Sequence, residues 1–231
     1  CMPSKTLIYS AEILHLAQKG STFGFEGKKP KADIQAMHVR KKEVIAEFAD
    51  YRKEQLEDGR FSLFRSYGHF LDATTVQLSD GSILRSDKIL ISTGSKVKVP
   101  NLPGLSEVNY KTSDDVLDLE YVPPECVVLG GGVVACELAQ FLSRIGTRVT
   151  MLQRSPQLVK EFPREASRTL QNAMESEGLD LQLGVDFKNF SQIDEGCTEV
   201  LYGHEGKEKK IKTSFLFLAL GREPATGSLN L

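Results

Sequence analysis

A glycine-rich turn between two apolar segments constrains this chain more than any other feature. The run GGGVVACELAQFLSRIG occupies residues 130–146, and apolar residues lie directly before it at 126–129 and after it at 148–152. An apolar strand, a glycine turn, a helical pattern and a second apolar strand predict a nucleotide-binding βαβ unit. Gly146 lies where a glycine commonly ends a helix. The pattern therefore predicts an α/β fold with a parallel sheet.

Three positions of this turn have separate physical roles. Gly130 permits the tight turn, Gly132 lets the backbone approach a diphosphate, and Ala135 allows the helix to pack closely on the sheet. Val133 and Val134 form the first turn of the helix, where unpaired N–H groups and the helix dipole favour an anion. On the residues alone, a glycine turn without a ligand stays open as an alternative.

Composition limits the partners that this chain can have. It has 231 residues, of which 40% are hydrophobic, and a formal net charge of −2. Neither nucleic acid nor an anionic membrane surface is an expected partner at that charge. No apolar run has the length of a membrane span and no leader pattern is visible, so we expect a cytoplasmic protein. The chain starts at a cysteine, and we expect it to be a fragment of a longer protein.

The cysteines and histidines do not form a metal motif. Zinc sites usually need pairs of closely spaced cysteine or histidine ligands, and that spacing is absent, so no metal is predicted. We expect the last three cysteines to be small buried hydrophobic residues. The histidines are expected on the surface or on helix faces, not as acid-base catalysts. These residues are Cys1, Cys126, Cys136, Cys197, His15, His38, His69 and His204.

Periodicity divides the rest of the chain. Helices are predicted over residues 3–20, 32–56 and 164–177. The first is expected to place its larger apolar side chains on one shared side: Leu7, Ile8, Ile13, Leu14 and Leu16. Short strands are predicted at 61–65, 74–78, 88–92 and towards the end of the chain at 214–221, and residues 95–105 have the composition of a linker.

Four segments together resemble one protein family. They are CMPSK at residues 1–5, ISTG at 91–94, GGGVVACE at 130–137 and ALGREP at 219–224. In content, order and spacing they resemble the pyridine nucleotide-disulfide oxidoreductases, which are flavoproteins, across essentially the whole chain. Among these, mercuric-reductase-like and dihydrolipoamide-dehydrogenase-like members look closest, and glutathione reductase less close. The resemblance implies two Rossmann-like domains: a partial FAD-binding domain at 1–104, an NAD(P)-binding domain at 105–222, and a return into the FAD domain at 223–231.

The resemblance also implies a redox centre. Cys1 looks like the flavin-proximal cysteine of a CxxxxC disulfide, whose partner would lie five positions earlier; an accidental cysteine at this place is the alternative. A thiolate there is stabilised by the helix dipole. Lys5 would be buried against the flavin ring, with Glu137 as its ionic partner. Catalytic roles are thus implied for these three residues.

Further cofactor contacts follow from the same resemblance. Thr93 and Gly94, and later Gly221 with Arg222, match the two places where the family chain crosses between its domains beside the cofactors. Gly68 resembles the glycine that lies against the adenine of the flavin nucleotide. We therefore expect all five residues to contribute to cofactor binding.

The end of the second strand indicates which nicotinamide nucleotide binds. An NADH site usually has an acidic residue there, whereas this chain has Gln153, Arg154 and Ser155. Without a carboxylate, Arg154 could hold a 2′-phosphate, and Lys160 could assist. NADPH is therefore the expected nucleotide, and use of NAD stays open.

The resemblance implies an enzyme that passes electrons from NADPH through FAD to a disulfide. The final acceptor would be a small-molecule or small-protein disulfide or Hg(II), and the full-length protein would be a homodimer. The first redox cysteine, the ribityl-binding motif and the dimerisation domain fall outside these residues, so the fragment alone is expected to be inactive. Two alternatives stay open: a flavoprotein transhydrogenase or diaphorase without the disulfide, and a non-catalytic nucleotide-binding module.

Overall fold

The computed structural model describes all residues from Cys1 to Leu231 and contains five α-helices and twelve strands. The helices are α1 (Met2–Gln18), α2 (Ile34–Glu57), α3 (Ser113–Leu117), α4 (Val133–Ile145) and α5 (Arg164–Ser176). The strands are β1 (Gly68–Asp72), β2 (Thr75–Leu78), β3 (Ile83–Arg85), β4 (Ser95–Val97), β5 (Glu125–Leu129), β6 (Arg148–Gln153), β7 (Asp180–Leu183), β8 (Asp186–Asp194), β9 (Cys197–His204), β10 (Lys207–Thr213), β11 (Leu216–Leu218) and β12 (Arg222–Pro224). No helix has both the length and the apolar character needed to cross a membrane.

The chain divides into two units. The first contains Cys1–Ile45 and Val99–Gly221, and the second contains Ala46–Lys98 and Arg222–Leu231. The predicted domain bounds at 1–104, 105–222 and 223–231 follow the family pattern and stay a prediction.

A four-stranded parallel sheet forms the centre of the first unit. Its strand order is β11-β5-β6-β7, and α4 connects β5 to β6. The sheet is parallel because a helix returns the chain to the same end after β5, as the glycine turn predicted. Strands β8, β9 and β10 form a separate antiparallel meander in this unit. The predicted α/β fold class is confirmed.

Helix α4 is placed by an apolar face and a glycine cap. Its buried side chains recur every three or four residues, and the broad apolar face that they form contacts both the sheet and α1. Gly146 ends the helix with a φ of 116°, a left-handed conformation that glycine adopts without a Cβ clash. The buried apolar residues of α4 are Ala135, Cys136, Leu138, Ala139, Phe141, Leu142 and Ile145.

Helix α1 packs on α4 through a narrower face than the sequence predicted. Leu7, Ala11 and Leu14 are buried, and they follow the i, i+4, i+7 spacing of one helix side. Ile13 and Leu16 are exposed, so their assignment to the shared side was wrong. Each lies roughly a quarter turn or more away from that line because successive helical residues rotate by about 100°.

The second unit contains two small antiparallel sheets, β1-β2-β3 and β12-β4. The predicted strands at 61–65 and 88–92 are wrong, because neither segment forms a strand. Apolar β-branched runs become strands only where a neighbouring strand supplies hydrogen bonds, and none pairs with these segments. Leu90 is accordingly 89% exposed.

Candidate cofactor site

The glycine turn connects β5 to α4 at the carboxyl edge of the parallel sheet. Gly130 has a φ of 118°, and its N–H donates to the Leu152 carbonyl at 2.9 Å. Gly132 is the N-cap of α4, and the direction in which a Cβ would point is free of atoms within 4 Å. The turn therefore leaves open space directly in front of the N-terminal amides of α4, where an anionic diphosphate would be favoured.

The first residues of α4 differ in burial: one packs on the sheet, and two are open to a ligand. Ala135 is fully buried, in accordance with the close helix-on-sheet packing predicted for it. Val133 and Val134 are exposed at the first turn of the helix. Only small buried side chains allow the helix N-terminus to approach the sheet edge this closely.

Gly131 is a residue whose role the sequence reasoning missed. A Cβ on it would lie 2.8 Å from Leu158 Cδ2 and 2.9 Å from Gln153 Cγ. Its carbonyl accepts a hydrogen bond from the Val159 N–H at 2.6 Å. Three consecutive glycines were the available signal, since the motif itself accepts any residue at the middle position.

A cleft of about 520 Å³ opens in front of this turn. We call it the glycine-turn cleft. Three segments of the first unit form its walls: the turn itself, the chain after β6 and the chain after β11. Ligands of open parallel sheets bind in such crevices at the carboxyl ends of the strands. The residues that line it are Gly130, Gly131, Gly132, Val133, Gln153, Arg154, Ser155, Val159, Lys160, Glu161, Phe162, Ala219, Leu220 and Gly221.

The charge along the rim of the cleft is mixed. Arg154 is exposed and has no hydrogen-bond or ion-pair partner within the chain. The Lys160 ammonium lies 3.6 Å from the Glu161 carboxylate, and both side chains are exposed. Arg154 is therefore the rim cation that remains available for a phosphate.

Lys5 and Glu137 form an ion pair, although 132 residues separate them in sequence. Lys5 lies in the first turns of α1, and Glu137 lies in the second turn of α4. The pairing that the resemblance implied is thus present. The ammonium and the carboxylate are open to solvent in this chain, with side chains 56% and 33% exposed, so the expected burial of Lys5 is absent.

Cys1 is the N-cap residue of α1 and is exposed. Its carbonyl accepts hydrogen bonds from Ser4 Oγ and from the Lys5 N–H, each at 3.0 Å. The cysteine therefore sits at the positive end of a 17-residue helix, one turn before the lysine that meets Glu137.

The two predicted crossing segments meet in the second unit, where β4 and β12 pair. Gly94 has a φ of 73°, and its carbonyl accepts from the Ala225 N–H at 3.0 Å. Thr93 precedes it and is exposed. Arg222 donates to Ser95 Oγ at 2.8 Å and to the Ser95 carbonyl at 2.7 Å. Arg222 is not among the residues of the glycine-turn cleft, whereas its neighbour Gly221 is.

Gly68 begins β1 in a crowded position. A Cβ there would lie 2.9 Å from Val76 Cγ1 on the paired strand β2. Strand packing alone accounts for a glycine at this place, and the implied contact with an adenine stays a prediction.

Burial makes two of the cysteine thiols unreactive. Burial raises the pKa of the Cys136 thiol to about 11, with the nearby Glu137 charge contributing less. Burial also raises the pKa of Cys126. Cys197 is half-buried. The prediction of small buried hydrophobic residues is confirmed for Cys126 and Cys136.

Comparison with known proteins identifies the family of the chain. Residues 1–230 match the family described as pyridine nucleotide-disulphide oxidoreductase. A mercuric reductase of Staphylococcus aureus is 33% identical over the whole chain, which covers 42% of that protein. A mercuric reductase of Lysinibacillus sphaericus is 31% identical, also over the whole chain and 42% of its own length.

More distant relatives and a solved structure extend the match. A dihydrolipoyl dehydrogenase of Bacillus subtilis is 25% identical over the whole chain and 51% of its own length. The HOCl-induced flavoprotein disulfide reductase RclA from Escherichia coli shares the fold, with a TM-score of 0.79 at 23% identity over 99% of this chain and 48% of that one. The chain thus spans roughly half of these proteins or less. With a family match over nearly all of its residues, the chain belongs to the pyridine nucleotide-disulphide oxidoreductases.

Proposed function

We propose that the protein containing this chain is an FAD-dependent NAD(P)H oxidoreductase. It passes electrons from NADPH through FAD to a redox-active disulfide that includes Cys1, and on to an external acceptor. The observation that carries this proposal is the contact of Lys5 with Glu137. It joins the helix that begins at Cys1 to the helix that begins at the glycine turn.

The residues of the glycine-turn cleft fit a dinucleotide. The open side of Gly132 admits a diphosphate to the N-terminal amides of α4, which need no side chain to bind it. Arg154 presents a planar, charged set of donors for a 2′-phosphate, which is why we favour NADPH over NADH. Gln153 and Ser155 flank it and carry no charge that would repel the phosphate.

The residues of α1 and α4 fit a flavin and a disulfide. When bound, FAD would supply the two-electron carrier between the nicotinamide and the disulfide. Lys5 would place its positive charge where an electron-rich ring is stabilised, and Glu137 would reduce the cost of desolvating that ammonium. At the N-cap of α1, the helix dipole favours the thiolate form of Cys1, which is the form that attacks a disulfide.

The relatives indicate the class of electron acceptor. The relatives named above are two mercuric reductases, a dihydrolipoyl dehydrogenase and a disulfide reductase, so we propose an Hg(II)-type or disulfide acceptor. We also propose a cytoplasmic homodimer for the complete protein, without a nucleic-acid or membrane partner.

The first test measures nucleotide binding by the 231-residue chain. Titration with NADPH, followed by its fluorescence, should show saturable binding. Gly132→Ala would put a methyl group into the open space before α4, so affinity should fall at least about tenfold, the factor that ~1.4 kcal/mol gives. Gly227→Ala is the matched control, because a Cβ there also meets no atom within 4 Å but lies in the second unit. Equal affinities for all three chains would contradict the binding site.

The second test separates the disulfide route from the diaphorase alternative. In the complete enzyme, Cys1→Ser should abolish NADPH-dependent reduction of disulfides and Hg(II). It should retain reduction of an artificial dye, because that reaction needs only the nicotinamide and flavin sites. Disulfide reduction that survives Cys1→Ser would overturn the proposed role of Cys1. A complete protein that binds NADPH and reduces neither acceptor would favour the nucleotide-binding module.

A further inference from the structure

A largely buried ion-pair cluster joins α4 to α5, and the end of α1 that is opposite Cys1 lies against it. Glu177 is the C-cap residue of α5, and its two carboxylate oxygens each accept a hydrogen bond from Arg144 at 2.8 Å. Gln140 donates to the same carboxylate at 3.0 Å. His15, in the last turn of α1, lies 4.0 Å from it. The cluster thus contains one residue of α1, two of α4 and one at the end of α5.

This cluster is stronger than the Lys5–Glu137 pair. The side chains of Arg144, Glu177 and His15 are only 14%, 11% and 16% exposed. A bidentate arginine–carboxylate contact that is shielded from water is a strong charge-assisted interaction. An exposed lysine–carboxylate pair is weaker, because water screens the two charges and both side chains lose conformational freedom.

Charges from every neighbouring element act on the cluster. Arg144 holds the pKa of Glu177 below its ordinary value, and Glu177 raises that of Arg144. Burial lowers the pKa of His15, while Glu177 opposes that shift, Lys19 and Arg144 add to it, and Glu12 opposes it weakly. The Arg144–Glu177 pair is therefore charged at neutral pH and is the permanent part of the cluster.

The two contacts define how α1 lies on α4. Lys5, near the start of α1, meets Glu137, near the start of α4. His15, near the end of α1, meets the carboxylate that Arg144 holds at the end of α4. The two helices therefore run in the same direction. Along α1 the two contacts are about 15 Å apart at 1.5 Å per residue, and they lie on either side of the buried residues by which α1 packs on α4.

We infer that Glu177 is a positioning residue for the proposed redox reaction. By holding Arg144, Gln140 and His15 together, it sets the register of α1 on α4. It thereby places Cys1 and Lys5 relative to Glu137 and the glycine turn. The effect of Glu177 on the reaction rests on the proposed function, whereas its effect on the register of α1 does not depend on any cofactor.

The test measures the Lys5–Glu137 contact directly in the 231-residue chain. A water-soluble carbodiimide joins an ammonium and a carboxylate that touch, with loss of one water, and peptide mass spectrometry quantifies the product. The Lys210–Glu199 pair at 3.0 Å in the β9–β10 hairpin is an internal standard, since it is remote in the chain from all three helices. The measured quantity is the ratio of the two cross-links at a temperature where circular dichroism shows the chain folded.

Glu177→Ala should lower this ratio by about threefold or more, because the end of α1 that contains His15 would then lose the carboxylate it lies against. Glu175→Ala is the matched control, as an exposed glutamate two positions away on α5. If Glu177→Ala does not fold, Glu177→Gln keeps the shape and loses the charge, and should lower the ratio less. The double variant Arg144→Glu, Glu177→Arg exchanges the two charges and should restore part of the cross-link ratio.

An unchanged ratio in a folded Glu177 variant would overturn the inference, whether or not the protein is an oxidoreductase. In the complete enzyme, Glu177→Gln should lower kcat several-fold with little change in the KM for NADPH, since it leaves the glycine-turn cleft intact. A lower cross-link ratio with unchanged kcat would show that the register does not serve the reaction. Failure of the proposed function itself would leave the cross-link result standing.

Discussion

Gly130 lies so close to Ala219 that a Cβ on the glycine would be 2.4 Å from the alanine carbonyl oxygen. The turn after β5 and the end of β11 thus share a boundary made only of backbone. The contact explains why the cleft has a wall on that side, and why this wall tolerates no side chain at Gly130.

We predict that Gly130→Ala destabilises the fold, whereas Gly132→Ala does not. At Gly130 both the φ of 118° and the contact with Ala219 oppose a Cβ, so the free energy of unfolding should fall by about 2–4 kcal/mol. At Gly132 a Cβ meets no atom within 4 Å, and the change should stay within about 1 kcal/mol. Urea denaturation of both variants measures the difference. Similar losses at the two positions would refute this division of roles.

We predict that Arg154→Glu shifts the nucleotide preference from NADPH to NADH. The carboxylate repels a 2′-phosphate and accepts a hydrogen bond from a 2′-hydroxyl, so the ratio of affinities should change by about tenfold or more. Titration of the chain with each nucleotide measures this. Arg168→Glu is the control, as an exposed arginine that does not line the glycine-turn cleft. An unchanged ratio would remove the argument for NADPH.

We predict that Glu177 makes stability depend on acid pH. Arg144 holds the pKa of Glu177 below its ordinary value of 4.5, so the unfolded chain binds the proton more readily. The contribution of Glu177 is therefore complete above about pH 4.5 and is lost as the pH falls through its lower folded-state pKa. The difference in unfolding free energy between the unchanged chain and Glu177→Gln, measured from pH 6 down to pH 3, should shrink. A constant difference would contradict the pKa shift.

We predict that Lys41 stabilises the attachment of α2 to α3. Its side chain is buried, and its ammonium donates to the Leu117 carbonyl and to Asp118 Oδ1, each at 2.5 Å. Lys41→Ala would leave the carbonyl unpaired and should cost about 1–3 kcal/mol. Lys42→Ala, at the exposed neighbouring position, should change stability by less than about 0.5 kcal/mol. Thermal denaturation of the two variants compares them, and equal melting temperatures would show that the contact is not stabilising.

We predict that the cysteines react in the order of their exposure. Iodoacetamide at pH 7.5 should label Cys1, which is exposed, and should leave Cys126 and Cys136 unlabelled because burial raises the pKa of each thiol. In denaturant all four cysteines should be labelled. Mass spectrometry of the peptides gives the pattern. Labelling of Cys136 in the folded chain would show that α4 opens from the sheet.

The elements predicted best were those whose signals are local. The strand at 126–129, the strand at 148–152 and the helix from 164 are present, because the residue pattern that predicts each of them lies within the segment itself. The strands at 61–65 and 88–92 were wrong because a strand needs a neighbour that no local pattern reports.

The residues of the site also fall into those with a local sequence signal and those without one. The glycine turn could be predicted from its own residues, whereas the Lys5–Glu137 contact spans 132 residues and was expected only from the family resemblance. Gly131 and Glu177 were missed altogether. The need for a glycine at position 131 comes from Leu158 and Gln153, and the role of Glu177 comes from helices that are distant in sequence, so neither leaves a periodic signal.

The uncovered run at 88–92 has a consequence for the behaviour of this chain in solution. Ile89, Leu90 and Ile91 are consecutive, exposed and β-branched or aliphatic, with no proline to interrupt them. Such a segment pairs readily with an identical segment of another molecule. We therefore expect the isolated chain to self-associate through this run as its concentration rises, and a charged residue in place of Leu90 to keep it monodisperse.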